Sequence, residues 1–176
     1  MNPMVTRIAL VLLLPAFVVP LARADAAPQP LQQKVRHELV MLPYLSVFDD
    51  LAYEVEGPRV VLMGAVTRPS LKSDAEYAVK RIQGVEQVDN RIEVLPLSPL
   101  DDNLRLRLYR AIYGFGPLQK YSMGVQKPIR IIVKNGQVTL DGVVDNPGDR
   151  DMANIRANGV FGVFSVTDNL RVGSAN

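Results

Sequence analysis

The stretch GVEQVDNRIEV (residues 84–94) returns as GVFSVTDNLRV (residues 162–172), 78 residues later. Each opens on Gly-Val and then alternates apolar with polar residues. Val88, Ile92 and Val94 share one parity in the first, Val166, Leu170 and Val172 in the second. Such alternation marks a strand with one face buried and one wet. The same shift aligns 57–94 with 135–172 without a gap. Ten pairs are identical: Val60/Val138, Leu62/Leu140, Gly64/Gly142, Val66/Val144, Pro69/Pro147, Ala75/Ala153, Gly84/Gly162, Val85/Val163, Val88/Val166 and Val94/Val172. Val55/Val133 extends the match upstream. Two tandem copies of one small unit account for this better than a single larger domain, and 78 residues is too long for a solenoid period.

Each copy reads helix, strand, strand, helix, strand. In the first, Val35, Leu39 and Leu42 recur at helical spacing and Pro43 ends the segment. Residues 51–56 and 60–66 are strands joined at Gly57-Pro58. Ser73 and Glu76 have the spacing of a capping box, for a helix burying Ala75, Ala78, Val79 and Ile82 and stopped by Gly84. In the second copy Ser98-Pro99 is an N-cap followed by proline at the first helical position. Leu104, Leu108, Ala111 and Ile112 form its buried stripe, and Asn135-Gly136 turns a hairpin over 129–144. Gly64 and Gly142 fall within strands on the buried parity. Their expected role, like that of Gly84 and Gly162, is structural, with a helix passing too close to Gly64 and Gly142 for a side chain. A right-handed crossover makes the second and third strands parallel. The fold class is therefore α+β: two tandem αββαβ units, each a small three-stranded mixed sheet with two helices on one face.

Arg7, the apolar run 8–19 and the small residues Ala22, Ala24 and Ala26 compose a secretory signal peptide over 1–24, cut after Ala24 or Ala26. The first unit spans 31–95, a short proline-rich linker 96–99, and the second unit 100–172 with an insertion at 114–127. Nothing after the signal is apolar enough to hold the chain in a bilayer. The 176 residues include no Cys, no Trp and one His, which excludes disulfides, thiolate metal sites and cysteine nucleophiles. Formal net charge is +2, too small for bulk binding of nucleic acid. Residues 27–99 hold 8 basic and 10 acidic side chains (net −2), and 100–176 hold 10 and 7 (net +3).

The glycine-bearing strand, the helix and the ending G-V-x-x-V-x-[ND]-x-[IL]-x-V, seen at Gly84–Val94 and Gly162–Val172, resemble the BON domain across both copies, residues 31–172. The resemblance implies an exported, non-catalytic protein of the bacterial envelope, periplasmic or else secreted. It further implies binding to phospholipid and a part in osmotic-stress tolerance; some such domains instead join proteins to one another. Two departures stand out: the insertion 114–127, and Asp168 where the first copy has Asn90.

No catalytic constellation is present, and no cofactor or metal is expected. His37 has no second His or Cys to work with. Asp49-Asp50 and Asp101-Asp102 sit at element boundaries, where capping and the helix dipole account for them. Four of the eleven aromatic residues fall within 109–121. Arg105, Arg107, Tyr109, Arg110, Tyr113, Phe115, Lys120, Tyr121 and Lys127 interleave rings with cations, which suits an anionic phospholipid or membrane surface. The other reading of the same residues is packing: Tyr109 in the core, Arg105 and Arg107 on the wet face, the insertion over a sheet edge. A second partner class is an envelope protein docking on Val61, Met63 and Ala65, an apolar set on the face away from the helices.

Overall fold

The computed structural model describes residues 30–124 and 127–173; the expected signal peptide and its cleavage points lie outside them. The first unit runs α1 (Leu31–Val40), β1 (Asp50–Glu56), β2 (Arg59–Val66), α2 (Pro69–Lys80), β3 (Gln87–Asn90) and β4 (Glu93–Val94). The second runs α3 (Pro99–Tyr113), a 3-10 helix (Gly116–Ser122), β5 (Ile129–Lys134), β6 (Gln137–Val144), α4 (Pro147–Asn158) and β7 (Ser165–Val172). β1 pairs antiparallel with β2, which pairs in parallel with β3 and β4. β5, β6 and β7 repeat the plan. The two units have separate interiors. Val35, Leu39, Val60, Leu62, Val66, Leu71, Ala75 and Val79 build one. Leu104, Leu108, Ile112, Ile129, Ile131, Val138, Leu140 and Ala153 build the other.

Local chemistry sets most boundaries. Asn135 and Gly136 both take positive φ, 53° and 75°, as the tight β5–β6 turn requires. Ser98 Oγ accepts from Asp101 N at 3.2 Å with Pro99 following, a working N-cap. Asn146 serves α4 likewise, accepting from Asp149 N at 2.9 Å. Helix α2 starts earlier than the Ser73/Glu76 spacing predicts. It begins at Pro69, its N-cap Arg68 makes no side-chain cap bond, and Ser73 Oγ donates back to Pro69 O from inside the helix. Its buried stripe is Leu71, Ala75 and Val79, and it ends at Lys80, before the turn that holds Gly84.

The glycine pair also has a different neighbour from the helix the sequence suggests. A Cβ on Gly64 would stand 2.3 Å from Asp50 O, and one on Gly142 1.8 Å from Pro128 O. The backbone entering the adjacent antiparallel strand occupies the space, and φ at the two glycines is +108° and +127°. In the first unit the third strand breaks between β3 and β4, where Asn90 Oδ1 turns back to accept from Ile92 N at 3.2 Å. On the far face of that sheet Val61 is only 4% exposed, and Met63 and Ala65 are half-buried. The three do not form an open apolar patch.

The segment between α1 and β1 joins the units. Val47 O accepts from Ile131 N at 2.9 Å, capping the edge of β5, and Val47 and Phe48 pack against the second interior. Arg130 Nη1 donates to Ser46 O at 3.0 Å, and Lys134 pairs with Glu93 across the seam.

Candidate functional site

The nine aromatic and basic residues of 105–127 go to three different places. Capping by Ser98 and Pro99 fixes the start of α3, so every fourth or third side chain after it faces the sheet. Arg105 is one of these. It is 4% exposed, its Nη2 donates to Val133 O at 2.7 Å, and its Nη1 meets Asp102 at 2.5 Å. Tyr113 is buried as well. Its hydroxyl donates to Ile129 O at 2.6 Å and accepts from Ile129 N, and burial pushes the phenol above its ordinary value. Tyr121, carried inward by the 3-10 helix beside Leu118, donates to Asp149 Oδ2 and accepts from Asp145 N at 2.8 Å. Lys120 bridges Asp145 and Asp149, both at 2.7 Å, and those carboxylates raise its ammonium above the usual lysine range. The insertion is thus a plug that ties α4 to the core.

Two more line the seam. Tyr109 stacks edge-on to Phe48 and tilted to Tyr113, and Lys127 borders the same groove beside Arg130. The seam widens into an open cleft lined by Arg36, Asp50, Lys127, Arg130, Asp141 and Arg171, a mixture of both signs. Burial lifts the Asp50 carboxyl above the usual carboxylate range; Asp141 adds to this and Arg130 and Arg171 oppose it.

Of the remaining three, Arg107 and Arg110 stand outward, while Phe115 is half-buried and packs against the second interior. Arg107 and Arg110 are exposed on the outer face of α3, as is the half-exposed Leu106, and neither forms an ion pair with any described residue. Phe115 lies under the Arg156 guanidinium, 4.8 Å from the ring centroid, and Arg156 Nε donates to Ala111 O at 3.1 Å. Arg107, Arg110 and Arg156 therefore form a basic face on α3 and α4. Asp102, one turn before Leu106 on the same helix, is engaged by Arg105.

Sequence reasoning missed Arg156, Phe161 and Phe164. The two phenylalanines sit in the turn from α4 to β7 and are 89% and 82% exposed. The repeat could have found them, because the same positions in the first copy are Gln83 and Glu86. Elsewhere the carboxylate pairs serve the fold. Asp49 accepts from Thr67 N and from Ser46 N, and Asp101 accepts from Asn135 N and Gly136 N, tying α3 to the hairpin. His37 is exposed on α1. Among the described residues no cluster of His, Asp and Glu could hold a metal ion, and no helix is long and apolar enough to cross a membrane.

The family model described as BON domain matches residues 29–96 and 122–174. No curated protein matches. Among solved structures, the C-terminal domain of CdsD, described as the structural protein of the type III secretion system of Chlamydia trachomatis, is 14% identical. It aligns over 81% of this chain and 96% of its own, with a TM-score of 0.29. A second CdsD structure from the same organism, also 14% identical, aligns over 82% and 93%, again at 0.29.

Proposed function

The chain belongs to the BON domain family, with one matched segment in each unit, and from that premise we propose that it is a non-catalytic protein of the bacterial envelope. In this reading it is exported to the periplasm and binds anionic phospholipid at the membrane surface through its second unit, in support of envelope integrity under osmotic stress. The observation that carries the lipid reading is the outer face of α3, where Arg107 and Arg110 stand exposed together with Leu106 and form no ion pair with a described acid. Exposed guanidinium groups beside an apolar side chain match a headgroup boundary, where phosphate meets the cation and the acyl edge meets the apolar group. The buried Arg105 and Tyr113 tie this helix to β5 from within.

Flotation with vesicles tests the reading. Recovery is expected with phosphatidylglycerol vesicles and not with phosphatidylcholine alone, and it should fall as salt is raised. Arg107→Ala with Arg110→Ala should cost about 2 kcal/mol, roughly thirty-fold in partition, at about 1 kcal/mol per cation near the surface. Equal recovery on both vesicles, indifferent to salt, would falsify it. The other reading, a scaffold that docks envelope proteins on Val61, Met63 and Ala65, loses its motive because Val61 is covered.

A further inference from the structure

We infer that the α4–β7 turn, residues 159–164, is an apolar anchor that inserts Phe161 and Phe164 into the acyl boundary of an anionic bilayer while Arg107 meets the headgroups. The inference rests on the proposed lipid binding of the second unit and adds a site to it.

The two copies supply the argument. In the second unit Val163 N donates to Val160 O at 3.1 Å, and Phe164 N donates to Gly136 O at 2.8 Å. In the first, Val85 N donates to Ile82 O at 3.1 Å, and Glu86 N donates to Pro58 O at 2.9 Å. Gly162 and Gly84 take the same positive φ, 94° and 101°. Val160 and Val163 pack inward, as do Ile82 and Val85. The scaffold of the turn is therefore one scaffold used twice, and its inward residues are apolar both times. Only the outward positions differ in kind: Arg81, Gln83 and Glu86 in one copy, Gly159, Phe161 and Phe164 in the other. Folding does not require rings there, since the first unit makes the turn with polar side chains.

Two rings with more than four-fifths of their surface open leave apolar area in water that only an external partner can cover. A bilayer is the occupant that the surroundings favour. The rings project from the turn and are themselves the inserting groups, as interfacial Phe is in peripheral proteins. The cation beside them is Arg107, whose Nη2 lies 3.1 Å from where a Cβ on Gly162 would be, and which has no ion-pair partner among the described residues. Arg107 thus belongs both to the basic face of α3 and to the turn, so one approach to the surface engages both.

The chain contains no Trp, so Phe161→Trp introduces a single indole as a reporter. With vesicles of phosphatidylglycerol, the expected result is a blue shift and quenching by bromine placed on the acyl chains. F161Q/F164Q, which copies the amide side chain of Gln83 to both positions, should keep the melting temperature and weaken binding by on the order of tenfold per ring. Unmodified protein that binds these vesicles in a salt-sensitive way, together with an unquenched indole or a double variant that binds as well as the parent, overturns the anchor and leaves the α3 face standing. Unmodified protein that ignores the vesicles overturns the lipid reading and the anchor together.

Discussion

Asp149 shows how much of the second unit hangs on single polar contacts. Its buried carboxylate accepts from Tyr121, Lys120 and Asn146. Burial alone would raise its pKa; those donors outweigh that and hold the carboxyl below its ordinary value. A carboxyl held low in the folded state contributes stability that is present above the unfolded value and lost as pH falls through the folded one. Asp149→Asn should therefore cost about 1–3 kcal/mol at neutral pH, with the difference from the parent closing below about pH 4 in denaturant titrations. A constant difference down to pH 2 would contradict this. None of it could be read from the sequence, where Lys120 and Tyr121 look like a surface cluster, because the partners lie 24 to 29 residues away. The departure at Asp168 was legible but not its meaning. Asp168 accepts from Arg150 Nε at 2.9 Å, whereas Asn90 donates to Lys72 O, and Arg150 and Lys72 are equivalent positions of the repeat. The contact between strand and helix was kept and its donor reversed.

Among elements, α3 begins as its sequence predicts and α2 does not. Ser98 is both the hydroxyl acceptor and the residue before a proline at the first helical position, two signals that agree. At α2 they separate: Pro69 marks the true start, while Ser73 and Glu76 imitate a capping box one turn inside. The identity Pro69/Pro147 within the repeat already favoured the earlier start. Ser98→Ala should destabilise the second unit by about 1 kcal/mol, read as a lower denaturation midpoint with an unchanged slope. Ser73→Ala, which removes only a bond back to Pro69 O, should change the midpoint by less than half of that.

Across the whole molecule, the two units keep separate interiors and yet are not independent. Phe48, encoded in the first copy, packs against the second interior and edge-on to Tyr109, while Val47 O closes the edge of β5. An exposed strand edge invites pairing with other chains, and here a neighbouring segment covers part of it. Phe48→Ala should lower stability by about 1–2 kcal/mol and speed hydrogen exchange at the Ile131 amide, without affecting the core amides of β2. Equal acceleration in both units would mean that the seam carries more of the fold than its contacts suggest.

By itself the sequence determined the duplication, the αββαβ order, the hairpin at Asn135-Gly136 and the family. These rest on spacing and on residue types whose preferences are local: alternation, caps and left-handed turns. Tertiary structure alone decided which of the rings and cations of 105–127 face inward, what presses on Gly64 and Gly142, and how Val47 and Phe48 cross to the other unit. Those depend on distances between segments far apart in the chain, and an aromatic or basic side chain is equally at home under a helix, along a seam or in water.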